Sequence, residues 1–193
     1  MSSARTRARV RRLGGVALVA ALGIVAVACM PPIHPDNKPS KLVGLTNGQI
    51  PTSQLVAVSS SCSVYYKAGR SLQALLADAK KDGVTLLGRS CYRDYAGQVA
   101  ARQYWCSLGQ CYMAAVPGTS MHGWGKAVDF GEAGRDLDFG TPGYAWLEAN
   151  AWRYGWNHPG WAAEDQVGAE PWHWEWVGDG GTMYPGTTIG PQT

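Results

Sequence analysis

"SMHGWGKAVD", Ser120–Asp129, sets a histidine and an aspartate seven residues apart in a run otherwise made of glycine, small and apolar residues. Gly123 and Gly125 disfavour a helix here, so the run reads as a turn feeding a strand, Lys126–Phe130. On such a strand an unpaired Asp129 carboxylate is costly to bury, and a metal ion removes that cost. A second stretch, "EPWHWEW" at Glu170–Trp176, poses a matching arrangement. Pro171 forces Glu170 into an extended conformation and is able to open one helical turn. That turn brings Glu170 and His173 to the same side.

The chain has only four histidines. His34 lies in a proline-rich stretch with no scaffold to orient it, and His158 sits in an apparent turn, "GWNHPG". His122 and His173 remain, each in a compact segment framed by glycine or proline. A catalytic zinc takes three protein ligands and leaves one position for water. His122, Asp129 and His173 are therefore the candidate ligands, with Glu170 beside them as a general base. Glu175, two residues past His173, is assigned a supporting or surface contact.

Around these stretches the chain reads as short helices alternating with short strands. "SLQALLADAKK", Ser71–Lys81, spaces its apolar residues as a helix does, with Ser71 as its N-cap. "VTLLG", Val84–Gly88, reads as a buried strand. Arg93–Cys106 and Pro142–Tyr154 are further helices, the latter with Trp146, Leu147 and Ala151 inward. "WHWEWVG" alternates and closes the fold as a strand with Trp172, Trp174 and Trp176 on one side. No repeat, P-loop or dinucleotide fingerprint is present. The expectation is a small α+β single domain with a mainly antiparallel sheet flanked by helices.

Composition narrows the setting. Hydrophobic residues make up 46% and charged residues 16% of 193, a globular balance. Nine Trp and nine Tyr against two Phe indicate a cleft rich in amphipathic aromatics, with Trp124 and Trp172 the candidates nearest the motifs. Five arginines precede an uncharged run, Leu13–Ala28, and "AVAC" follows at Ala26–Cys29. Residues 1–28 thus read as a secretory signal, the apolar run being short for a membrane span. Its removal takes five of the 17 basic residues and none of the 14 acidic ones, leaving a net charge of −2. Nucleic acid is therefore excluded as a partner. Cys29 resembles the acylated cysteine of bacterial lipoproteins, although Ala26-x-Ala28 also suits ordinary signal cleavage. Residues 29–60 form an anchor, proline-rich linker and entry segment, 61–180 the domain, and 181–193 a flexible tail. Cys62, Cys91, Cys106 and Cys111 are an even set, expected to form disulfides in an oxidising compartment. Cys106–Cys111 is the easiest pair to imagine, with Cys62–Cys91 following, but three pairings are open.

The motifs carry a resemblance. "SMHGWGKAVDF" is similar to the S-x-H-x-x-G-x-A-x-D pattern of the zinc D-Ala-D-Ala carboxypeptidases, the VanY-like family of the hedgehog/DD-peptidase fold. "EPWHWEWVG" resembles their E-P-W-H segment, and "SCYRDYAGQ", Ser90–Gln98, their S-G-Y-R-S-x-x-x-Q segment. The match runs in order over about Leu72–Gly178. Cys91 stands where glycine is usual, and Asp94 where serine is common. The resemblance implies one zinc held by His122, Asp129 and His173, with Glu170 as base. Arg93 polarises the scissile carbonyl or holds substrate; Ser120, Gln98 and Trp172 contact substrate. It implies an extracytoplasmic, membrane-anchored and monomeric enzyme that removes D-Ala from peptidoglycan stem peptides. L,D-carboxypeptidase or endopeptidase action is the near alternative, and a wall-binding zinc protein without turnover the distant one.

Overall fold

A computed structural model describes residues 39–178. The signal segment, Cys29, His34 and the tail expected over 181–193 lie outside the described residues. The first elements are a hairpin, β1 (Leu55–Ser59) and β2 (Cys62–Tyr65), paired antiparallel. The segment read as linker and entry already contributes to the fold over its described residues, with Leu42 and Ile50 reaching the core.

Helix α1 runs Tyr66–Lys81 and buries Ala68, Leu72, Leu75 and Ala79. It begins five residues before the expected N-cap. Ser71 is therefore interior and buried, where it donates to the Tyr154 carbonyl and accepts from the Trp156 indole at 3.1 Å. Gly69 permits the earlier start, because a Cβ there would lie 2.1 Å from Val56 Cγ1 of the hairpin. The helix exit uses residues 82–85, with Val84 N–H bonded to Ala79 O, so strand β3 is Leu86–Ser90 rather than Val84–Gly88.

Helix α2 spans Tyr95–Ser107 and is capped by Asp94, whose carboxylate accepts from Gly97 N–H at 2.7 Å. Asp94, one of the two departures from the family pattern, is thus used as an N-cap. Strand β4 is Ala127–Glu132, followed by the short β5 (Arg135–Asp136). Helix α3 covers Pro142–Asn150, and its expected last turn tightens to a 3-10 turn at Ala151–Tyr154. Leu147 and Ala151 are buried, while Trp146 is only partly so and donates to Asp82 at 2.8 Å. Strands β6 (Trp156–Asn157) and β7 (His173–Trp176) complete the chain.

The main sheet has the order β3-β4-β7-β6, with β5 folded back on β4, and all its pairings are antiparallel. Val128 and Phe130 of β4 and Trp174 and Trp176 of β7 are fully buried in one core with α1. Trp172 precedes β7 and does not share the burial of those two tryptophans. Lys126 is buried at the foot of β4, its ammonium donating to Ser40 O and Oγ at 3.0 Å. Disulfides join Cys62 to Cys91 and Cys106 to Cys111. Cys91, where the family pattern has glycine, is thereby accounted for. Among the described residues, no helix is long and apolar enough to cross a membrane.

Candidate metal centre

Strand register builds the centre. Asp129 on β4 is the direct cross-strand partner of His173 on β7, so their side chains leave the same face of the sheet. Side chains two apart on a strand share a face, which puts Glu175 beside His173 and sends Trp174 and Trp176 to the opposite, core side. His122 arrives from the single 3-10 turn His122–Trp124. That turn ends at Gly125, whose φ of +63° is a left-handed conformation that glycine adopts without penalty. A Cβ there would also lie 2.6 Å from Tyr65 N.

The three donors converge. His122 Nε2 is 3.2 Å and His173 Nδ1 3.0 Å from Asp129 Oδ1, and all ligand atoms lie within 4.8 Å of one another. The outer nitrogens fix the ring tautomers. His122 Nδ1 is 2.7 Å from the Cys91 carbonyl, and His173 Nε2 is 3.2 Å from Glu175 Oε1. Both of those partners accept, so the outer nitrogens carry protons and the inner nitrogens face Asp129. When neutral, each ring aims a lone pair at the same carboxylate oxygen, a set of acceptors that a divalent cation satisfies. Without a cation the geometry recruits protons instead. Burial lowers the His173 pKa, but the Asp129 and Glu175 carboxylates outweigh it and push it up to about 10. Burial would raise the Asp129 carboxyl, yet His122 and His173 hold it well below the usual carboxylate range. The residues present therefore fit zinc.

Glu170 sits one turn before His173, with Oε2 3.9 Å from His173 Nδ1. The His173 N–H closes the turn on Glu170 O at 3.0 Å. Burial pushes the Glu170 carboxyl up to about 7, against the opposing charge of His173. Arg153 is directed elsewhere and donates to Asn150 Oδ1 at 3.1 Å. Arg93 lines the same cleft; its Nη1 donates to Gln98 Oε1 at 3.0 Å and Nη2 to Ser90 Oγ at 3.1 Å.

The remaining expected residues divide. Ser120 and Trp172 line the cleft. Ser120 Oγ also accepts from the His122 N–H at 3.2 Å. Gln98, expected to touch substrate, is instead buried beneath the cleft wall. Its oxygen holds Arg93 and its nitrogen donates to Ala115 O at 2.8 Å. Trp124, a cleft candidate by sequence, is buried in the core. Trp161 was not singled out, yet it is 50% exposed and lies over the His173 ring at 4.9 Å. With Trp105, Tyr112 and Met113 it walls a cleft of about 860 Å³.

Two imidazoles and a carboxylate converging in an open cleft, with a partly buried glutamate beside them, define a metallopeptidase-type centre. Residues 62–179 match the family model of the VanY D-alanyl-D-alanine carboxypeptidases. The chain belongs to that family. A D-alanyl-D-alanine carboxypeptidase of Enterococcus faecalis is 32% identical over 123 residues, 55% of this chain and 46% of the relative. The chain thus spans about half the length of that curated relative. A crystal structure of the vancomycin-resistance D,D-pentapeptidase VanY in complex with Zn(II) is similar with a TM-score of 0.54 and 29% identity. The likeness covers 67% of this chain and 83% of that one. The LD-carboxypeptidase LdcB is similar with a TM-score of 0.57 and 25% identity, over 74% of this chain and 85% of that one.

Proposed function

We propose that the chain is a D,D-carboxypeptidase with one zinc, which hydrolyses the terminal D-Ala-D-Ala amide of peptidoglycan stem peptides. The observation that carries this reading is the placement of Glu170, a carboxylate raised to about 7 at the edge of the three converging donors. Zinc, when bound, supplies an acidified water and a Lewis acid for the scissile carbonyl. Glu170 would take a proton from the attacking water as its oxygen bonds to the carbonyl carbon, and return it to the amine nitrogen as the amide C–N bond breaks, releasing free D-Ala. Arg93 uses the N–H groups left over from Gln98 and Ser90 to stabilise the charge that develops on the carbonyl oxygen. One such donor contributes on the order of 3–4 kcal/mol. Trp161 and Trp172 flank the centre, and the cleft is roomy enough for the stem peptide on the amino side of the cut.

A second reading, L,D-carboxypeptidase action, is favoured by the likeness to LdcB, since metal and base do not encode stereochemistry. Two disulfides support an extracytoplasmic setting. We place the enzyme there, with residues 1–28 as its signal and Cys29 as its lipid anchor. Mass spectrometry of products from defined tetra- and pentapeptides, with and without chelator, tests the function. The expected result is D-Ala release from the pentapeptide, lost on chelation, and lost in Glu170→Ala with zinc still bound. Turnover that survives Glu170→Ala refutes the assignment of the base.

A further inference from the structure

We propose that His158 is a positioning residue for Glu170, holding the backbone of the base in place through its Nε2–H. Glu170's part as base rests on the function proposed above; the holding contact does not. His158 Nε2 lies 3.0 Å from the Glu170 carbonyl oxygen. A carbonyl only accepts, so this nitrogen carries the proton. The same oxygen accepts the His173 N–H at 3.0 Å, and the Glu170 N–H donates to Ala162 O at 3.0 Å. Both backbone groups of Glu170 are thus tied, and two of the three ties come from the one segment His158–Ala162.

That segment is itself anchored. It leaves β6, whose Trp156 and Asn157 pair with Trp176 and Glu175 of β7. His158 is 3% exposed, and its ring packs against Trp174, Tyr144 and Phe139 at 5.1, 5.5 and 6.2 Å. An aromatic pocket of this kind would accept phenylalanine with less desolvation. The imidazole brings one thing that phenylalanine lacks, the donor aimed at residue 170. A misplacement of about 1 Å at a reacting group is worth about 100-fold in rate, so a modest slackening of this tie is measurable.

The test uses the full zinc-loaded chain with three substitutions. His158→Phe keeps the ring and loses the donor. His158→Gln puts an amide N–H near the Nε2 position, and His158→Asn reaches only the Nδ1 position. The expected result for Phe is a kcat lower by about 10- to 100-fold, with KM and zinc content unchanged, and rescue by Gln but not by Asn. Hydrogen exchange of the Glu170–His173 peptide is expected to quicken in Phe and Asn and to stay slow in Gln. If Phe does not fold, the Gln and Asn proteins carry the comparison. Equal behaviour of Gln and Asn, wild-type kcat in Phe, or loss of zinc in step with kcat overturns the proposal. If the wild type releases no D-Ala, the proposed function falls while the exchange pattern still decides whether His158 holds the turn.

Discussion

Replacing Glu175 with leucine removes the group that receives the His173 Nε2–H. The contact is 3.2 Å long, and both side chains are buried. Leucine leaves that N–H in a dry site without an acceptor, a penalty of about 1–3 kcal/mol. The ring then loses its preferred tautomer and orientation toward Asp129. At about 1.4 kcal/mol per tenfold, the expected loss of zinc affinity is about 5- to 150-fold. Glu175→Gln retains an acceptor without the charge and should fall between leucine and wild type. Competition against a chromophoric chelator at constant pH measures both. Affinity within twofold of wild type for Glu175→Leu would refute the idea that the ring is held from its outer nitrogen.

Four further outcomes are expected. The metal-free protein should lose stability as pH rises. The folded pKa of His173, about 10, lies above its ordinary value of 6.5, so its contribution is complete below 6.5 and is lost on approach to 10. Zinc competes with that proton, so metal affinity should rise over the same window; thermal melts with and without chelator check both signs, and an apo melting point that rises with pH contradicts the first. The disulfides should differ in weight. With a sequence separation of 29 for Cys62–Cys91 and of 5 for Cys106–Cys111, loop-closure entropy gives about 3.6 and about 2.1 kcal/mol. Denaturant titration of the two paired Cys→Ala variants measures the order. The Cys62/Cys91 variant should also bind zinc less tightly, because the Cys91 carbonyl holds His122.

Much of the centre was legible because its residue types are scarce. Four histidines leave few choices, and the Glu170–Pro171 pair dictates a turn whose outcome, Glu170 and His173 on one side, the structure displays. Helix α1 was legible through its Leu72–Ala79 spacing, but its first turn was not. "YYKAG" carries glycine and aromatic residues that argue locally against a helix, and only the approach of Val56 to Gly69 explains them. Gln98 was expected to touch substrate because it falls at the closing glutamine of the family's S-G-Y-R-S-x-x-x-Q segment. Its burial depends on Ala115, which the chain brings back 17 residues later. His158 and Trp161 sit in a turn-like stretch without periodicity, where nothing local reveals that one meets the carbonyl of Glu170 and the other the ring of His173.

The pairing of Asp129 with His173 also has a consequence for assembly. Two of the three donors belong to one turn-and-strand unit, and the third lies on the last described strand of the chain. A chain synthesised as far as Trp172 offers an ion two of its three ligands, so the full grip arrives only with β7. Once seated, the ion would tie that strand to a residue 44 positions upstream, a brace added to the backbone ladder rather than a substitute for it.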